Sequence, residues 1–143
     1  MRLILIMLAV LAWTAPARAD DLLDRLSHGV WGNEGFDDQH CADNPHRIEV
    51  EDGGRRLVFI WRTPILYHTG EKKQRIGAAV VARTADRLVV VQDGEDRMGL
   101  DGVPTRFDVF LLPSGGYCFI MTSLDATDCP RKNLPCQGLP SLS

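Results

Sequence analysis

Few of the features by which a sequence declares its chemistry are present. There is no Cys-x-x-Cys pair, no Gly-x-Ser-x-Gly elbow, no haem-attachment motif and no phosphate-cradling glycine loop. These absences remove, in turn, the usual zinc signature, the exposed serine of α/β hydrolases, covalent haem and P-loop nucleotide binding. Serine is scarce. Its occurrences are Ser27, Ser114, Ser123, Ser141 and Ser143, and Ser114 sits in a Pro-Ser-Gly-Gly turn, where a small polar residue is expected anyway. Basic charge is in deficit, with 16 Lys and Arg against 19 Asp and Glu. An acidic surface repels phosphate backbones and excludes nucleic acid as a partner class. Long apolar runs are also missing. The longest, Leu3 to Ala12, falls far short of the roughly 20 residues that a membrane span requires.

That run has the form of an export signal. Arg2 supplies a positive start, and Thr14-Ala15-Pro16-Ala17-Arg18-Ala19 supplies a breaker and an Ala-x-Ala cleavage site ahead of Asp20. Residues 1–19 are therefore expected to be a cleaved signal peptide. No cysteine follows the site to take a lipid, so the expectation is a periplasmic or secreted chain with no stable membrane insertion. Loss of Arg2 and Arg18 with the leader leaves 14 basic against 19 acidic side chains in a chain large enough for one core.

All four cysteines, Cys41, Cys118, Cys129 and Cys136, lie beyond the leader. An even number in an oxidising compartment reads as two disulfides rather than a metal site. Of the three connectivities, the preferred one pairs Cys129 with Cys136, around a loop holding Pro130 and Pro135, and Cys41 with Cys118.

Residues 20–124 read as a single β domain, and 125–143 as an irregular, disulfide-clipped tail. A short helical pattern (Leu22, Leu23, Leu26) opens the domain and is expected to plug one end of the core. Strand-like runs follow at Arg47 to Glu51, Arg56 to Arg62, Ile65 to Thr69, Ile76 to Arg83 and Arg87 to Gln92. Three more lie at Arg97 to Leu100, Thr105 to Leu112 and Tyr117 to Thr122, with turn formers such as Asp52-Gly53-Gly54 and Pro113-Ser114-Gly115-Gly116 between runs. About eight short strands without intervening helices mean an all-β antiparallel meander. A closed barrel is the first expectation and a sandwich the second. Leu57, Phe59 and Trp61 share one strand face, as do Phe107, Val109 and Leu111, and these faces should meet the core.

No residue set supports catalysis, and the reading is non-enzymatic, with no cofactor. The loop Asp37 to His46 is the best metal candidate, with two histidines and three aspartates. Its spacing matches no ligand signature, so it reads as a solvated loop clipped by a disulfide. Binding has more support. Phe59, Trp61, Tyr67, Phe107 and Tyr117 are the candidate ligand-binding residues, on or near strands, and Phe119 and His68 are their neighbours. Gly77-Ala78-Ala79 offers small side chains that leave room beside them.

Gly29-Val30-Trp31, after a helical turn and before an all-strand meander, resembles the lipocalin and wider calycin pattern. The family's later Thr-Asp-Tyr-type motif has no counterpart here. The resemblance implies an eight-stranded closed barrel that carries a small apolar ligand. It also implies that Trp31 closes one end, with a basic residue, Arg131 or Arg106, packed on it. The alternative is an envelope protein-binding module, such as a lysozyme or protease inhibitor. It would act through an exposed loop, for which Tyr67 to Lys73 is the candidate. Mass spectrometry of the exported protein is expected to find Asp20 at the N-terminus, and a chain still beginning at Met1 would refute the leader.

Overall fold

A computed structural model describes residues 19–122 and 129–138, so the expected leader lies outside the described residues apart from its last position. Among the described residues the chain forms one α-helix, a 3-10 turn at Asp52–Gly54 and eight strands: α1 (Ala19–His28), β1 (Val30–Asn33), β2 (His46–Glu51), β3 (Arg56–Leu66), β4 (Lys72–Arg83), β5 (Arg87–Gln92), β6 (Phe107–Leu111), β7 (Tyr117–Met121) and β8 (Lys132–Pro135). Each strand pairs antiparallel with the next, and β8 pairs with β1. The meander is therefore a closed barrel, the first of the two architectures expected.

Antiparallel connection places the β2–β3, β4–β5 and β6–β7 turns at one end and the remaining loops at the other. Helix α1 covers the first end. Its acidic first turn (Asp20, Asp21) and its Arg25 and His28 in the last turn suit the helix dipole. Leu22, Leu23 and Leu26 are all buried against the barrel, so the helix does plug the core. Trp31 closes the same region: its indole nitrogen donates to the Leu26 carbonyl at 3.2 Å, and its ring meets Tyr117 edge-on at 5.1 Å. The basic partner implied for Trp31 is engaged elsewhere under either assignment. Arg131 lies 4.5 Å over the Phe36 ring and Arg106 pairs with Asp101.

The expected inward faces of β3 and β6 are correct: Leu57, Phe59, Trp61, Phe107 and Val109 belong to the core, with Leu111 packed against it. Two predicted strands, Arg56 to Arg62 and Ile65 to Thr69, are one strand with a register shift between Ile60 and Ile65. Pro64 lacks the N–H that a continuous ladder needs. Side chains repair the break. The Gln74 amide donates to the carbonyls of Trp61 and Arg62, and the Asn44 amide accepts from the Thr63 N–H and donates to its carbonyl.

The predicted strand Arg97 to Leu100 is a loop with a single bridge, Met98 to Pro104. Its apolar residues have no core to face, and Leu100 is fully exposed. The supposedly irregular tail instead supplies β8, and β1 lies ahead of the first run predicted. The small-residue argument also needs correction. Gly77 faces outward, where an added Cβ would strike the Arg56 and Asp93 side chains, which pair across it. Of the three, Ala78 belongs to the core.

The disulfides are Cys41–Cys136 and Cys118–Cys129, not the preferred pairs. The physical reason is β8. A strand of four residues spans about 13 Å, already beyond the ~7 Å Cα separation that a disulfide tolerates, so Cys129 and Cys136 are held apart. Cys118 alternates with inward Tyr117 and faces out, where it receives Cys129. The β1–β2 loop folds back over the outer face of β1. Gly32 permits this, since a Cβ there would lie 2.6 Å from the Cys41 nitrogen and sulfur.

Non-reducing peptide maps are expected to link Cys41 to Cys136 and Cys118 to Cys129. Replacing the first pair by serine should cost roughly 2 kcal/mol more than replacing the second, because they span 95 against 11 residues and loop-closure entropy grows with the logarithm of length. Unfolding free energies extrapolated from urea titrations, each with its own slope, measure the difference.

Candidate functional site

The two halves of the barrel differ. Toward α1 the lumen is filled by Leu57, Ala78, Leu88, Val90 and Val109 with the helix leucines. Toward the opposite end it widens into a cavity of about 710 Å³. Strand alternation dictates its wall: Phe59 and Trp61 on β3, Ile76 on β4, Phe107 on β6 and Phe119 on β7 all point inward. Their rings form a connected set. Phe107 stacks on Phe119 at 4.8 Å, Phe119 meets Phe59 edge-on at 5.5 Å, and Phe59 and Trp61 lie 6.3 Å apart. Such contacts hold aromatic walls in place without requiring a filled centre.

All five candidate residues, Phe59, Trp61, Tyr67, Phe107 and Tyr117, line this one cavity. Tyr67 stands near the mouth, 3.3 Å from the Gln92 side-chain oxygen to which its hydroxyl donates, and burial pushes its pKa up to about 12. Tyr117 lies deeper and fully buried, and burial pushes its hydroxyl well above its ordinary value. Its oxygen is 2.6 Å from Nε2 of His46.

His46 is the main residue that sequence reading misplaced. It was assigned to a solvated acidic loop, and Asp37, Asp38 and Asp43 are indeed exposed. His46 is instead the first residue of β2 and only 1% exposed, sharing its inward face with Ile48. The signal was the period-two continuation backward from Ile48 through Arg47. Burial among rings drives its pKa down to about 3, so the imidazole is neutral at ordinary pH. Asn133 was also missed. It projects inward from β8, where its side-chain oxygen accepts from the Asn33 amide at 3.1 Å.

The mouth carries the charge. His68, Arg97 and Arg131 come from three different loops. Glu95, shielded from solvent, accepts from the Arg97 guanidinium at 2.7 and 2.6 Å. Burial alone would raise its pKa, but these hydrogen bonds outweigh it and hold the carboxyl below its usual range. His68 lies 3.8 Å from Glu95 and 3.6 Å from Asp96, so three metal-type ligands converge at the rim. The guanidinium on both Glu95 oxygens already satisfies that charge.

Comparison of the chain with protein-family models, curated proteins and solved structures finds no match.

The neutral His46 predicts a pH dependence. The unfolded histidine titrates near 6.5 and the folded one near 3, so between these values the unfolded chain binds the extra proton. Stability should fall as pH drops through that window, by up to roughly 1.4 kcal/mol per pH unit. Urea denaturation from pH 7 to 4 measures it, and His46→Gln should flatten the slope. Equal slopes would show that His46 takes its proton without penalty.

Proposed function

We propose that this protein is an exported, non-enzymatic carrier that holds a small apolar molecule in the open half of its barrel, in the manner of a lipocalin. The observation that supports this reading is the cavity itself, about 710 Å³ and walled by aromatic side chains. Small-molecule sites commonly occupy about 300–1,000 Å³, with apolar walls and a few convergent polar groups. Here the polar groups are His46, Tyr117, Asn133 and Gln92. Desolvation of an apolar ligand at roughly 25 cal/mol per Å² drives entry, and the preformed wall spares the ordering cost. The signal-like leader and two disulfides fit an oxidising compartment, periplasmic or extracellular.

The carrier reading places function inside the barrel and the inhibitor reading places it on the β3–β4 hairpin, so one titration separates them. N-phenyl-1-naphthylamine, a neutral probe that brightens in apolar surroundings, is expected to bind saturably. Phe107→Ala should weaken it about tenfold through lost apolar contact. Lys72→Ala, on the exposed hairpin, should leave it unchanged. Absence of saturable binding, with native mass spectrometry showing a bare chain from its own compartment, would overturn the carrier and turn attention to the hairpin.

A further inference from the structure

Two nitrogens on residues that line the cavity have no hydrogen-bond partner among the described residues: Nδ1 of His46 and Nε1 of Trp61. The residues are direct register partners across β2 and β3, with their rings 5.2 Å apart and tilted by 34°. Nearly every buried donor in a folded protein finds an acceptor, so two unpartnered nitrogens on adjacent rings beside a cavity call for a common explanation.

The indole N–H can only donate. The imidazole requires an accounting. Neutral histidine has one donor and one acceptor nitrogen, and Nε2 is committed to the Tyr117 hydroxyl. If Nε2–H donated to the Tyr117 oxygen, both the phenol hydrogen and the Nδ1 lone pair would be left over. If the phenol donates to Nε2, the Nδ1–H and the phenol oxygen's lone pairs are left over. The second arrangement joins the better donor, the phenol, to the better acceptor, the imidazole nitrogen, which puts the proton on Nδ1 and presents a second donor beside the first. Because burial keeps this imidazole neutral, neither donor brings a positive charge. A carboxylate entering here would lose its hydration without gaining a countercharge, whereas a carbonyl oxygen would not. The cationic groups Arg97 and Arg131 belong to loops at the mouth.

Resting on the carrier reading, we infer that the bound molecule is apolar and bears a neutral oxygen acceptor, a ketone, ester or amide carbonyl, that meets the Trp61 and His46 N–H groups. Both nitrogens are covered by neighbouring groups, so an oxygen reaches them only when the rings move. A turn of the rings toward the lumen they line seats the oxygen.

A matched probe pair tests this. Displacement of N-phenyl-1-naphthylamine is measured with 2-acetylnaphthalene, its hydrocarbon counterpart 2-ethylnaphthalene, and the anion 2-naphthoate. The ratio of ketone to hydrocarbon affinity is expected to fall about five- to tenfold on Trp61→Phe, the equivalent of one hydrogen bond. In the wild type, 2-naphthoate should bind no more tightly than the ketone. If Trp61→Phe fails to fold by circular dichroism, His46→Phe carries the same comparison. An unchanged ratio, or tighter binding of 2-naphthoate, overturns the neutral-acceptor inference while leaving the carrier standing. Failure of every probe to bind defeats the carrier reading and takes this inference with it.

Discussion

The barrel depends on closing β8 against β1. Every other neighbouring pair in the meander is joined by a connection that brings its strands together. The seam instead joins strands from opposite ends of the chain, with loop-closure entropy set against it. Both strands are four residues long, and the recorded ladder between β7 and β8 has only two register pairs. Covalent bonds supply what the ladder lacks. Cys129 lies just before β8 and is tied to the outer face of β7, while Cys136 lies just after it and is tied to the β1–β2 loop. With β8 held at both ends, Asn133 is presented inward to Asn33 and the lumen is sealed along its weakest side. A sheet open here would expose two edges and let water into the apolar interior.

Division of the lumen into a packed half and a hollow half follows from side-chain size. Aliphatic residues and Ala78 near α1 interdigitate with the helix leucines. Toward the mouth the wall is aromatic, and rings engaged with one another edge-on or stacked at the periphery leave space at the centre. The polar groups deep in this wall are neutral, and the charged groups gather at the rim. Burial enforces that order, since an unpaired charge inside would cost far more than a neutral hydrogen-bonding group.

The outer face follows different rules. Arg56 and Asp93 pair across Gly77, and Arg87 reaches the mostly buried Asp108 at 2.5 Å, where Thr122 also donates at 2.9 Å. The β6–β7 outer face carries the small cluster of Cys118, Ile120 and Cys129, so the second disulfide also covers apolar surface.

The strand period, the turn formers and the lack of helical patterns beyond α1 determined an antiparallel meander and the inward faces of β3 and β6. They also brought Phe59, Trp61, Tyr67, Phe107 and Tyr117 forward as one set, because alternation is a local property of the chain. What lay beyond local reach was decided by partners distant in sequence. Lys132-Asn133-Leu134-Pro135 has no strand alternation and becomes β8 because β1 and β7 flank it and two disulfides hold it. The disulfide pairing could not be read because it depends on which cysteines the register turns outward and how far β8 holds its two neighbours apart. His46 looked like part of an acidic loop, and only the closed barrel, which places β2 opposite Tyr117, turned it into a neutral group in the wall of a cavity.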